Sequence, residues 1–249
     1  MKKTLALFLT LILVLSLCAC GSQNAAPAAA ESTPEPQIVE KIVEVEKEPV
    51  PGSNLVVLYT NDTHCGVEDN IGFAGLAEIK NALEASGKQV LLVDCGDAVQ
   101  GGTIGTLSKG EYIIDIMNEL GYAVATPGNH EFDYTMEQFF ALTERAGFPY
   151  VSANFVNADG TSVFDSYVII EADGAKIAFV GASTPKTLTT STPTYFMNEN
   201  GEFIYNFCQD ESGEKFYAAV QSAVDSARAE GADYVFVLSH LGIEAECSP

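Results

Sequence analysis

The chain predicts an α/β fold in which β-sheets are covered by helices. Three observations carry this. Short apolar runs rich in β-branched residues alternate with longer segments of helical periodicity between Leu55 and Ser239. Glycines close two of the helical segments, at Gly87 and Gly121. The pair Asp173-Gly174 separates two apolar runs and marks a tight hairpin.

Leu55 to Thr60 is a continuous apolar run and reads as a buried strand. Phe73 to Ser86 places Leu76, Ile79 and Leu83 at helical spacing. Gln89 to Asp94 is the next strand, followed by a glycine-rich loop from Gly96 to Gly110. A helix follows over Glu111 to Leu120, then a short strand over Ala123 to Thr126. Thr135 to Ala146 is helical, and Tyr150-Val151-Ser152 reads as a short strand. Val163 to Glu171 and Lys176 to Gly181 form the hairpin arms. Thr184 to Gly213 mixes aromatic and polar residues and reads as loop or short paired pieces. Lys215 to Glu230 is an amphipathic helix, and Tyr234 to Ser239 the last strand.

What precedes Asn54 belongs to export rather than to the fold. Residues 1–19 have a basic start, Met1-Lys2-Lys3, and an apolar stretch from Leu5 to Leu17, as a secretory signal does. The end of that stretch, Leu17-Cys18-Ala19-Cys20-Gly21, resembles a bacterial lipobox. The resemblance makes Cys20 the first mature residue and a lipid anchor, so the protein is expected outside the cytoplasm, tethered to the cell membrane. Residues 20–53 are rich in Ala, Pro and Glu and bury too little apolar surface to fold, so they read as a disordered linker. Residues 54–249 remain as the globular part, enough chain for one domain with a real core.

The formal net charge of −22 excludes a nucleic-acid polymer as partner, since phosphate contacts need Lys and Arg. Small anionic substrates stay open, because bound divalent cations reverse the local field of an acidic site. Cys65, Cys95, Cys208 and Cys247 match neither a disulfide framework nor a zinc motif. Cys65 and Cys95 adjoin the polar motifs below and read as buried fillers.

All three histidines stand where a predicted strand gives way to polar residues. His64 lies in Asn61-Asp62-Thr63-His64, His130 in Gly128-Asn129-His130-Glu131, and His240 ends the final strand. Gly96-Asp97 follows the second strand. Strand carboxyl ends are where α/β proteins gather site residues. Asp62-x-His64 puts two ligands on one side of an extended segment. Asp97 offers a carboxylate able to bridge two cations about 3.5–4 Å apart. With Asn129 and His240, the mixed Asp, Asn and His set suits Zn²⁺, Mn²⁺ or similar ions.

The ordered blocks Asp62-Thr63-His64, Gly96-Asp97, Gly128-Asn129-His130-Glu131 and Ser239-His240 resemble the signature of calcineurin-like metallophosphoesterases. Tyr59-Thr60-Asn61-Asp62, the trailing Phe132-Asp133, Ala153-Asn154 and Gly181-Ala182-Ser183-Thr184-Pro185 resemble its secreted branch of 5'-nucleotidases, UDP-sugar hydrolases and 2',3'-cyclic phosphodiesterases. The resemblance implies a sandwich of two β-sheets flanked by helices, and two divalent metal ions. It implies that Asp62 and His64 hold the first metal, Asn129 and His240 the second, and Asp97 both. It further implies attack by a hydroxide held between them, with His130 stabilising or protonating the transferring group and Asp133 orienting His130. Nucleotides or other small phosphate esters are the implied substrates.

The chain departs from that pattern in one respect. The family continues with a further Gly-His block and a carboxy-terminal domain, and neither falls within these 249 residues. The resemblance therefore implies an incomplete catalytic domain, with each metal one protein ligand short and a second sheet that lacks its last strands and shows an open edge. A second polypeptide supplying the ligands, hydrolysis of a sulfur ester, and an inactive cation- or nucleotide-binding surface lipoprotein are the competing readings. The last does not require Asp62, His64, Asp97, Asn129 and His130 together.

Overall fold

Two β-sheets face each other across an apolar layer, and helices cover both outer faces. This is the architecture of a computed structural model that describes residues 50–242. The signal segment, Cys20, the linker as far as residue 49 and Cys247 lie outside the described residues.

The first sheet is parallel and contains β1 (Leu55–Thr60), β2 (Gln89–Asp94) and β3 (Tyr122–Ala125), in that order. The crossovers are helical, as parallel neighbours require. Helix α1 (Gly72–Ala85) links β1 to β2, while α2 (Gly102–Ser108) and α3 (Glu111–Leu120) link β2 to β3. Helix α4 (Met136–Arg145) follows, with the Thr135 hydroxyl accepting the Gln138 N–H as its cap. The second sheet holds β5 (Tyr167–Ala172), β6 (Ala175–Ser183) and β8 (Tyr234–His240). Strands β5 and β6 are the expected hairpin. Asp173 and Gly174 both have positive φ, 48° and 72°, as a two-residue turn of this kind needs. Helix α6 (Glu214–Ala229) returns the chain so that β8 pairs parallel to β6.

Strand parity explains the layers. Alternate residues of a strand point to opposite faces. Val93, Val124, Ile177, Phe179 and Leu238 are buried together between the sheets. Their neighbours Leu92 and Ala125 face α3 and α4 through Ile113, Ile114, Met117, Phe139 and Leu142. On the far side, Val180 meets Ala223 of α6. The layer order is therefore α/β/β/α.

Four elements differ from the sequence reading. The glycine-rich stretch after Asp97 is not all loop, since α2 lies within it. Gly105 is buried there, and a side-chain Cβ would come within 2.3 Å of the Cys65 sulfur, so packing overrides helix propensity. Tyr150-Val151-Ser152 is not a strand of its own; it adds a single bridge between Tyr150 and Ala125. The first hairpin arm starts at Tyr167 rather than Val163. Within the mixed segment, the helical turn α5 (Thr187–Thr190) was not foreseen, while β7 (Tyr205–Asn206), paired with β4 (Val156–Asn157), is one of the short paired pieces expected there. Among the described residues β8 forms one edge of its sheet, and Tyr234, Phe236 and Val237 on it stay about 40% exposed.

The Ala153-Asn154 and Ser183-Thr184 motifs meet in the interior. The Asn154 amide donates to the Ser183 carbonyl at 2.7 Å and the Phe207 carbonyl at 3.0 Å, and its oxygen accepts the Ser183 N–H at 2.9 Å. Asn154 and Ser183 are fully buried, so Asn154→Ala strands one donor and two acceptors. Urea unfolding should show a loss of about 2–3 kcal/mol; a change below about 0.5 kcal/mol would mean that water takes over all three bonds.

Candidate metal centre

The loops after β1, β2 and β3 and the end of β8 converge at one edge of the two sheets. Close backbone approach brings them together. A Cβ on Gly96 would stand 2.5 Å from the Gly128 nitrogen, and one on Gly128 would stand 2.3 Å from an Asp97 carboxylate oxygen. Neither position accepts a side chain.

Hydrogen bonds fix the loops in register. Asp62, His64 and Cys65 donate their N–H groups to the carbonyls of Gly96, Asp97 and Ala98 at 2.9–3.0 Å. The segment carrying Asp62 and His64 is therefore not extended, as the sequence reading had it. Asp62, His64 and Cys65 take positive φ values of 52°, 45° and 59°, because the segment follows the neighbouring loop instead of continuing the strand. The two side chains still meet, with His64 Nε2 3.7 Å from Asp62 Oδ1.

The buried carboxylate of Glu131 ties the other two loops. It accepts the N–H groups of Asp97 and Ala98 at 2.8 Å and of Gly128 at 2.7 Å. Burial, with the charges of Asp97 and Asp94, pushes this carboxyl up to about 8. Asp94, also buried, holds Thr60 Oγ1 at 2.6 Å and the Gly96 N–H at 2.9 Å, and burial raises it to about 6.

The other four expected ligands gather around Asp97. Its Oδ2 lies 3.2 Å from His240 Nε2 and 3.8 Å from His64 Nε2, and its Oδ1 accepts the His130 N–H at 2.7 Å. His240 Nε2 is also 3.1 Å from Asn129 Oδ1 and 4.0 Å from Asp62 Oδ1. Asp62, His64 and Asp97 present ligand atoms that all lie within 4.8 Å of one another.

The orientation of the imidazoles tests whether this set fits cations. His240 Nδ1 donates to the Cys95 carbonyl at 2.9 Å, and His64 Nδ1 lies 3.2 Å from the Gln100 carbonyl. A carbonyl can only accept, so each ring turns Nε2 toward the carboxylates, as metal-ligating histidines do. Two imidazoles, two carboxylates and an amide oxygen fit borderline divalent ions. The Cys65 and Cys95 thiols take no part: burial pushes them to about 11 and 12, and Cys65 Sγ donates to the Val99 carbonyl at 3.0 Å.

Beside this cluster stands the second expected pair. His130 Nδ1 is 2.6 Å from Asp133 Oδ2, and the His130 ring packs edge-on to His64 with centroids 5.3 Å apart. The other Asp133 oxygen accepts the Ser191 hydroxyl at 3.1 Å. Gln100, Glu131 and Ser191 were not anticipated as site residues. Only Glu131 carried a signal, its place in the Gly-Asn-His-Glu block.

Residues 55–249 match the calcineurin-like phosphoesterase family. The chain belongs to that family. Over 150 residues it is 35% identical to a 5'-nucleotidase of Vibrio cholerae, covering 57% of this chain and 27% of that protein. Over 242 residues it is 27% identical to the trifunctional nucleotide phosphoesterase protein YfkN of Bacillus subtilis, covering 82% and 15%. A solved structure of a 5'-nucleotidase precursor from Thermus thermophilus superposes with a TM-score of 0.62 at 28% identity, over 75% of this chain and 37% of that one. The chain thus spans about a third or less of the length of these relatives. The sandwich of two sheets and its flanking helices is the fold that the family match and these superpositions give.

Burial lowers His240, but its bond to Asp97 and the charge there prevail and raise it to about 9. A cation bound at Nε2 must displace that proton. Cation affinity is therefore expected to rise with pH toward about 9 and to fall roughly tenfold per unit below it. Calorimetry in buffers of different ionisation enthalpy should register proton release on Mn²⁺ uptake at pH 7; uptake without release would remove His240 from the ligand set.

Proposed function

We propose that this chain hydrolyses phosphate esters of nucleotides outside the cell, in the manner of a 5'-nucleotidase, from a lipid anchor at Cys20. The observation that carries the reading is the convergence of Asp62, His64, Asp97, Asn129 and His240 beside the His130–Asp133 pair. In this reading Asp62 and His64 hold one divalent ion, Asn129 and His240 a second, and Asp97 both. Asp97 Oδ2 lies within 4 Å of both imidazoles, so its carboxylate would be in reach of either ion. When bound, such cations neutralise the phosphate and acidify the attacking water.

The chain's own groups do the rest. His130 sits at the rim of the cluster with Nδ1 committed to Asp133, so Nε2 is left to the substrate. As the water oxygen bonds to phosphorus and the ester P–O bond breaks, His130 gives a proton to the departing oxygen. Asp133 fixes the ring, and Ser191 fixes Asp133. The names of the relatives, 5'-nucleotidase and nucleotide phosphoesterase, support nucleotides as the substrate class.

The test is phosphate release from AMP with added Mn²⁺ or Zn²⁺. His130→Ala is expected to retain metal and lose roughly 10²–10⁴-fold in kcat; an unchanged rate would sink the role assigned to His130. Anchoring is tested separately. Cys20→Ser, expressed in a bacterium that processes lipoproteins, should move the protein from the membrane fraction to the soluble one. A variant that still sediments with membranes would exclude the Cys20 anchor.

A further inference from the structure

A pocket of about 270 Å³ opens on the His240 side of the cluster. Asp62, Asn129 and His240 line one part of it, and Thr184, Lys186 and Thr190 another. Such a space lies just below the range of pockets that enclose drug-sized ligands, about 300–1,000 Å³. It has room for a phosphoryl group beside the cluster.

Among the described residues Lys186 is the only Lys or Arg lining this pocket, on a chain with 12 basic residues against 34 acidic ones. Among the described residues no carboxylate lies within 4 Å of its ammonium. The side chain is exposed, but its backbone is held. Ser183 Oγ donates to the Pro127 carbonyl at 2.6 Å, which sets this segment beside Gly128-Asn129. Thr187 donates its N–H and its hydroxyl to the Thr184 carbonyl, closing a tight turn around Lys186. The same segment ends at Ser191, which holds Asp133. One stretch of chain therefore presents a cation to the pocket and steadies the His130 pair.

We propose that Lys186 is a substrate-positioning and specificity residue that binds a non-bridging oxygen of the phosphate, with the Thr184 hydroxyl beside it. This inference rests on the phosphate-ester reading above and extends it. A phosphomonoester presents a dianion and a phosphodiester a monoanion, so a cation at this place favours the monoester. The acidic surface strengthens the point, because away from bound cations it repels both.

The test uses the full chain loaded with Mn²⁺ and compares wild type with Lys186→Met and Lys186→Arg. Calorimetric titration with inorganic phosphate should show about tenfold weaker binding in Lys186→Met, with Lys186→Arg close to wild type. Mn²⁺ content should be equal in all three. The kcat/KM for p-nitrophenyl phosphate should fall more in Lys186→Met than that for bis(p-nitrophenyl) phosphate. Equal phosphate affinity in wild type and Lys186→Met overturns the assignment, as does a wild type that binds no phosphate. A tenfold affinity difference without any turnover upholds Lys186 and defeats the hydrolase reading. Turnover without an affinity difference does the reverse.

Discussion

The site depends on one buried carboxylate. Glu131 accepts three backbone N–H groups, two from the loop after β2 and one from the loop after β3. These donors point into a region closed to water, where an unmet N–H costs about as much as a broken hydrogen bond. By satisfying all three, Glu131 holds Asp97 and Gly128 at a separation that only glycine tolerates. Asp97 is set in the left-handed region, with φ of 60°, and this turns its carboxylate toward both imidazoles. Asn129 and His130 then follow Gly128 into place. A residue with no direct part in the chemistry thus fixes three that are given one.

That arrangement is electrostatically unfavourable by itself. Asp62, Asp94, Asp97 and Glu131 crowd a small volume, and two of them carry raised pKa values for that reason and for burial. Asp97 is the exception. Burial works against its charge, yet the hydrogen bond and positive charge of His240 hold it below the usual carboxylate range. Without cations, His240 and Asp97 therefore lean on each other as an ion pair. Divalent cations would replace that single proton with a larger positive charge, which lowers the cost of keeping the remaining carboxylates ionised. Bound cations would thus offset a repulsion that the residues alone meet only in part, through the His240–Asp97 pair.

The fold was legible where periodicity is strong. The apolar runs of β1, β2 and β8, the helical spacing of α1, α3 and α6, and the Asp173-Gly174 turn were all readable. The errors fall where tertiary contact overrides local pattern. Helix α2 contains Gly102 and Gly105 and has little intrinsic helix propensity, and it forms because Gly105 packs flush against Cys65. The candidate ligands could be singled out because His, Asp and Asn recur at the strand ends in one order. The partners that aim them could not. The Gln100 and Cys95 carbonyls belong to the backbone, and no sequence pattern announces which carbonyl an imidazole will meet. The extended reading of Asp62-x-His64 failed for the same reason, since cross-loop hydrogen bonds, not local preference, set those φ values.

His240 differs from the other ligands in its origin. Asp62, Asp97 and Asn129 follow strands of the first sheet, while His240 ends β8 in the second. Its distance of 3.2 Å from Asp97 is therefore set by the packing of one sheet on the other. The layer between them is Val93, Val124, Ile177, Phe179 and Leu238, all nearly inaccessible to water. Close-packed interiors transmit displacement and do not absorb it. Two devices add to this control near the site itself: the His240 Nδ1 bond to the Cys95 carbonyl, and the Ser183 hydroxyl on the Pro127 carbonyl. Both reach from the second sheet to loops of the first. The apolar layer sets the coarse spacing of the two halves, and these bonds set the fine one. The metal centre is consequently a property of the whole sandwich, not of any one loop.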